Sequence, residues 1–249
     1  MGSVGGGFIR EGDLKSIASY PLWLQEVLLE TGAAKSRVIS HPLFRALRDG
    51  ELGAHEMRAF LINGWPVINQ FPQYMGMNLQ KIGPEETPGS RMARRYLTRN
   101  IRVEQNHADY WVDWAAAHDV SREDLQAGDA PPLAFALSHW CWKSSNADSL
   151  HASMAATNFA VEGVTGEWST LLCSRDTLAH SYPESIRKKS MRWLRLHAHY
   201  DDAHPWEALD IVATLLGRAP RTADIREVKR SIQRSYEYFE VSLNCCLEV

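Results

Sequence analysis

The stretch from His197 to Glu207, His-Ala-His-Tyr-Asp-Asp-Ala-His-Pro-Trp-Glu, constrains this chain more than any other. On an α-helix each residue turns by about 100°, so Asp201 falls about 40° from His197 and His204 about 20° to the other side. The three side chains then share one stripe, which runs back through Trp193 and Leu194 and forward through Ala208, Ile211 and Leu215. Such a stripe faces a core. Two imidazoles and a carboxylate are costly to bury there unless something pairs with them. A metal ion does so directly, because neutral histidine nitrogens and aspartate oxygens are its ligands. Hydrogen bonds to neighbouring helices are the alternative.

Two further segments carry the same residue types on apolar faces. Glu104 and His107 are three apart, hence neighbours on one helix face with Leu97, Ile101, Ala108 and Trp111. Glu162 follows Ala155 and Phe159 on its face and points inward, whereas Glu167 lies about 140° away, toward solvent. Buried glutamate without a partner is rare. The inventory becomes Glu104, His107, Glu162, His197, Asp201 and His204, three carboxylates and three imidazoles. It suits two iron or manganese ions inside a helical bundle, where facing helices supply Glu and Glu-x-x-His ligands. A single zinc needs fewer. Asp202 is a candidate hydrogen-bond acceptor for a ligand imidazole, and His199 points off the stripe. His41, His55, His118, His139, His151 and His180 stand in no ligand spacing and read as surface or ordinary structural residues.

Helical spacing dominates the rest. It runs from Pro21 to a stop at Gly32, over 34–49 with a restart at Pro42, and from Gly53 to Gln80 with kinks at Pro66 and Pro72. After a loop from Ile82 to Ser90 it resumes from Arg91 to His118. Ser121-Arg-Glu-Asp opens a short capped helix ended by Gly128. Further patterns cover Pro132–Lys143 and Ala147–Cys173. A run from Tyr182 reaches the polar stripe, with an interruption at Pro205, and Thr222–Leu247 closes the chain. No segment alternates at period two long enough for a strand. The fold expected is all-α and single-domain, with seven or eight helices over 13–249 behind a flexible leader, 1–12.

With 249 residues, a net charge of −3 and no cluster of Lys or Arg, nothing calls for nucleic acid or an anionic membrane. No apolar run reaches the length of a membrane span. Cys141, Cys173, Cys245 and Cys246 show neither zinc spacing nor a disulfide framework, which points to a reducing cytoplasm. Ten histidines and nine tryptophans are the compositional oddity.

At its metal-type residues the chain resembles the haem-oxygenase-like di-iron oxidases and oxygenases, whose last ligand helix carries His-x3-Asp-x2-His, here His197, Asp201 and His204. Within that group it is most similar to fatty-acid decarboxylases of the UndA type. The likeness runs through Leu-Ile-Asn-Gly-Trp-Pro-Val (61–67), Arg-Asn-Ile-Arg-Val-Glu-Gln-Asn-His-Ala-Asp-Tyr-Trp (99–111), Leu-Ser-His-Trp-Cys-Trp (137–142), Ala-Thr-Asn-Phe-Ala-Val-Glu-Gly-Val-Thr-Gly-Glu-Trp (156–168) and Tyr-Asp-Asp-Ala-His-Pro-Trp-Glu-Ala-Leu (200–209). Many relatives place a glutamate seven before the histidine of the first ligand helix. Here that position is Asn100, and Glu104 stands in, as in the UndA type.

The resemblance implies a seven-helix haem-oxygenase-like bundle without haem. It implies Glu104, His107 and His197 around one iron, Asp201 and His204 on the other, and Glu162 bridging the two or shared between them. It implies two Fe(II) ions and O2 turning a medium-chain free fatty acid such as dodecanoic acid into a 1-alkene such as 1-undecene and CO2, by hydrogen abstraction at the β carbon. Trp65, Phe71, Tyr74, Met75, Phe135, Trp140 and Phe159 are candidates to line an acyl channel, although such aromatic and Met stripes are usually simple core. The expected partners are a small-molecule substrate and an external electron donor, with a monomer or homodimer as the assembly.

Three other functions stay open at this stage. One is an oxidase or N-oxygenase of the same fold acting on an amino-acid-derived metabolite. The second is a thiaminase-like hydrolase using Cys141 or Cys173 as nucleophile, and the third an iron-storage or scaffold protein. An uninterrupted apolar channel favours the fatty acid; one closed by a charged residue favours the polar substrate.

Overall fold

A computed structural model describes residues 6–199 and 203–248. Fourteen α-helical segments occur among them and no strand: α1 (Leu22–Ile39), α2 (Pro42–Asp49), α3 (Ala54–Gln80), α4 (Pro88–Glu104), α5 (His107–Ala116), α6 (Arg122–Ala127), α7 (Ala136–Ala147), α8 (Leu150–Met154), α9 (Glu162–Cys173), α10 (Thr177–Ser181), α11 (Glu184–Ser190), α12 (Arg192–His199), α13 (His204–Leu216) and α14 (Thr222–Asn244). The all-α expectation holds. The count exceeds seven or eight because several continuous patterns are broken in space.

Long helices form the frame. α3 lies between α4 and α7, and α14 lies along both α1 and α7. α13 joins α4 to the segment Ala155–Val161, which α14 covers from another side. That segment is a π-helix, every residue of it buried, and it runs directly into α9.

Where the chain departs from its sequence pattern, packing supplies the reason. Gly32 does not end α1, because the helix buries Trp23, Leu24, Val27, Ala34 and Val38. One internal glycine costs about 1 kcal/mol, less than such a face returns. α3 continues through Pro66 and Pro72. It is also tightly seated: a Cβ on Gly64 would lie 2.8 Å from the Trp111 ring. Gly89 plays the same part between helices, since a Cβ there would meet the Leu215 backbone at 3.0 Å. The Ser121 capping box forms as expected, Ser121 and Asp124 each accepting the other's backbone N–H, and Gly128 ends α6 at φ 61°.

Residues 1–5 of the expected leader are outside the described set; within 6–12, Phe8 is buried against Tyr20, Arg10 pairs with Asp210 at 3.0 Å, and the Arg218 N–H donates to the Gly6 carbonyl. No helix among the described residues is long and apolar enough to cross a membrane.

Candidate metal centre

The expected single helix from Arg91 to His118 is interrupted between its two ligand-type residues. Glu104 ends α4 and His107 starts α5; between them the Asn106 N–H turns back to the Val103 carbonyl, three residues away. The pair still meets, His107 Nδ1 lying 2.9 Å from Glu104 Oε2. Both side chains are buried.

The expected stripe on one helix is likewise corrected. His197 belongs to α12 and His204 starts α13, with Pro205 in its first turn. Proline lacks the N–H that an internal helical position needs, so Pro205 fits a helix start. The shared stripe was therefore a poor guide. The two histidines reach one site from separate helices. Asp201, together with Tyr200 and Asp202, lies outside the described residues, as does the side chain of His199.

Glu162 is the first residue of α9, just past the π-helix. π-helical winding is rare and recurs at functional sites. Here it carries the chain into Glu162, whose Oε2 accepts the Tyr96 hydroxyl at 3.3 Å and whose Oε1 lies 3.4 Å from His204 Nδ1. Burial, and then the charges of Glu162 and Glu104, push the Tyr96 phenol well above its ordinary value, so it stays a donor. Glu167 is exposed, as its place on the wheel predicts, and pairs with Lys35.

His197 stacks on Trp193 with ring centroids 3.8 Å apart and meets the His107 ring edge-on at 4.7 Å. Its Nδ1 lies 2.8 Å from the Trp193 carbonyl. A carbonyl only accepts, so Nδ1 carries the hydrogen and Nε2 the lone pair. This is the usual way a ligating imidazole is oriented.

Glu104, His107, Glu162 and His197 border one small space of about 30 Å³, walled by Val67, Ile68, Phe71, Val161 and Thr165. A second space of about 50 Å³ adjoins it across Val67, Ile68, Val161 and Thr165. Its lining is mostly apolar and includes Asn63, whose amide donates to Cys246 Sγ at 3.3 Å. A cleft of about 100 Å³, lined by Lys35, Phe159, Glu167, Pro205 and Trp206 among others, also touches His197. Of the seven residues expected along a channel, Phe71 borders the first space and Phe159 the cleft. Trp65, Tyr74, Met75, Phe135 and Trp140 border none of the three. Tyr74 hydrogen-bonds Gln70 and Ser138, and Trp140 donates to Ser235; these are bundle-packing roles. Tyr96 and Trp193 were the residues sequence reasoning left unassigned. Both lie on ligand-bearing stripes, which was the only signal they gave.

Elsewhere, His151, Asp224 and Glu227 bring ligand-type atoms within 4.8 Å of one another. Asp224 is held bidentately by Arg221, and Glu227 accepts from Ser149. The expected nucleophiles fare poorly: burial pushes the thiols of both Cys141 and Cys173 up.

Three comparisons bear on identity. The chain is similar along its whole length to a TenA homologue from Pseudomonas syringae, at 49% identity and a TM-score of 0.96, covering 98% of this chain and 100% of that one. A domain of unknown function with a haem-oxygenase-like fold from Shewanella denitrificans matches at 14% identity and TM-score 0.71, over 90% of this chain and 92% of that one, which shows the fold alone. A 4-aminobenzoate synthase from Chlamydia muridarum is 28% identical over 127 residues, 48% of this chain; the chain spans about half the length of that curated relative.

These findings overturn the fatty-acid decarboxylase expectation. The relatives are a TenA homologue and an aminobenzoate synthase, and no kinship with the UndA type is shown. The spaces beside the site, about 30 and 50 Å³, are also far below the roughly 300–1,000 Å³ of ordinary ligand pockets. The haem-oxygenase-like fold stands. Residues 58–238 match the family described as "Iron-containing redox enzyme", and the chain belongs to that family.

Proposed function

We propose that this chain is a non-haem iron oxidase for a compact substrate, with iron held by Glu104, His107, Glu162, His197 and His204 and with Asp201 as a sixth donor. The carrying observation is the convergence of two buried carboxylates and two imidazoles from α4, α5, α9 and α12 around one small, apolar-walled space, with His204 of α13 against Glu162. The donor set fits iron. Imidazole and carboxylate together suit it, and no thiolate is present among these donors. Buried carboxylates are expensive without compensating charge, and the ion pairs both make here are to imidazoles. Six donors on one ion would leave no open position for a reactant, so two ions sharing them is the better division.

Bound iron would supply the one-electron steps that let O2 react with an organic molecule. The chain's own groups prepare the place. The Trp193 carbonyl fixes the His197 ring, and the Tyr96 hydroxyl holds one oxygen of Glu162. Val67, Ile68, Phe71 and Val161 give the space beside the donors an apolar wall. At about 30 Å³ that space suits a small guest such as O2 rather than a bulky organic one. A substrate then approaches through the cleft at His197, between Lys35, Glu167 and Trp206.

A reading through a cysteine nucleophile has less behind it, because thiolate is the reactive form and burial disfavours it at Cys141 and Cys173. The test is anaerobic titration of the metal-free protein with ferrous iron, followed by desalting and metal analysis. About two irons per chain are expected. Retention falls sharply in His197→Ala and Glu162→Ala. Equal retention by the wild type and both variants would refute the assignment.

A further inference from the structure

The centre does not end at its ligands. Behind His197 the core is built of tryptophan. Trp193 stacks on the His197 ring at 3.8 Å, and Trp114 lies nearly parallel to Trp193 at 5.9 Å. Trp111 sits edge-on to both, at 4.7 and 5.1 Å. From Trp114 the indole N–H donates to the Tyr182 hydroxyl at 2.9 Å, and that hydroxyl lies 2.8 Å from His118 Nε2. His118 is half-buried, at the edge of the bundle. An unbroken file of oxidisable rings therefore leads from a candidate iron ligand to the protein surface.

Packing alone accounts for large aromatic residues in a core, since they bury much area. It does not account for how the polar hydrogens are treated along this file. The Trp193 indole N–H is buried and has no acceptor among the described residues. At the other end, Tyr182 has a base in place. Burial pushes the Tyr182 phenol up to about 12, and burial holds His118 below its ordinary value. Both are then neutral near neutral pH. Tyr182 accepts from Trp114, and in the His118 tautomer with its hydrogen on Nδ1 the Tyr182 hydrogen goes to the lone pair on His118 Nε2.

This asymmetry gives a direction. A tryptophan that loses an electron but cannot shed its proton remains a strongly oxidising radical cation and passes the vacancy on. A tyrosine that loses an electron with a base 2.8 Å away sheds its proton and traps the vacancy.

We propose that Trp193, Trp114 and Tyr182 form a one-electron relay that drains oxidising equivalents from the centre at His197 to the surface at His118. The centre as terminus rests on the iron reading above. The oxidant is the equivalent derived from O2 at that centre when no substrate is bound. In one discharge the centre gains one electron from Trp193, Trp193 regains it from Trp114, and Trp114 from Tyr182. The Tyr182 phenolic proton moves to His118 Nε2, leaving a neutral tyrosyl radical beside an imidazolium. A small reductant of the ascorbate class then returns one electron, and His118 returns the proton to the phenolate oxygen. The protein ends unchanged, and the reductant is oxidised by one electron.

The test loads the full-length protein with ferrous iron, confirms retention by metal analysis, and mixes it with O2 in the absence of substrate. Samples are frozen at short times for electron paramagnetic resonance. The wild type gives a tyrosyl signal, narrowed when the protein carries ring-deuterated tyrosine and discharged faster by ascorbate. Tyr182→Phe, which removes one oxygen and keeps the packing, loses that signal at least tenfold while retaining iron. Trp114→Phe lowers it as well, and its folding is checked by circular dichroism. Tyr96 is the rival radical site because it touches Glu162. A signal that survives in Tyr182→Phe and disappears in Tyr96→Phe overturns the relay, as does iron-loaded wild type giving no protein radical. Failure to retain iron refutes the metal assignment instead, so the two outcomes are separable.

Discussion

Replacing Glu104 by Gln separates a metal ligand from a structural ion pair, because the two readings predict opposite effects on stability. Glu104 is buried at the end of α4 with its Oε2 2.9 Å from His107 Nδ1. Glutamine keeps the volume and a polar contact to the imidazole but removes the charge. Holding an ionised carboxylate out of water costs several kcal/mol, only partly offset by the histidine, so the metal-free variant should melt at or above the wild-type temperature. Iron reverses the order. A ligand present at about 100 times its Kd adds about 2.7 kcal/mol to the folded state. For a domain of this size about 2–4 °C accompanies each kcal/mol, so wild type should gain about 5–11 °C under anaerobic ferrous iron. Glu104→Gln should gain less than half of that. Differential scanning calorimetry with and without iron reads both numbers. A variant that is strongly destabilised without metal, yet shows the full iron-dependent rise, would mean that Glu104 is structural and the ligand assignment is wrong.

Three further outcomes follow from the packing. Gly89→Ala forces its Cβ to within 3.0 Å of the Leu215 backbone, so α4 and α13 must separate, at a cost of about 1–3 kcal/mol visible as a lower melting temperature. Phe8→Ala should cost about 2–3 kcal/mol in urea unfolding, because Phe8 is buried against Tyr20; an unchanged midpoint would mean that residues 6–12 do not pack in solution. Burial holds His41, His118 and His151 below the ordinary histidine value of 6.5. As pH falls through that value the unfolded chain takes up protons that the folded chain does not, so stability declines from about pH 7 toward pH 5. Urea midpoints that stay flat over that range contradict this.

How much of this was legible in the sequence differs between residue type and residue position. Periodicity showed that Glu104, His107, Glu162 and His197 face inward, because an apolar stripe is a local property of the chain. It also located the α6 capping box and its glycine stop, where three or four residues decide the conformation. Periodicity could not show that α4 stops at Glu104, that a π-helix precedes Glu162, or that His197 and His204 start from different helices. Those breaks depend on neighbours distant in sequence: Ala155–Val161 is enclosed by α13 and α14, and α5 packs on both α3 and α12.

The sequence by itself determined the helical class, the absence of strands among the described residues and the chemical types of the donors. Only the tertiary structure decided that five of those donors meet, that Tyr96 holds Glu162 and Trp193 holds His197, and that the space beside them measures about 30 Å³. A local pattern records which way a side chain faces, whereas the volume left between helices is set jointly by all the residues that fill it.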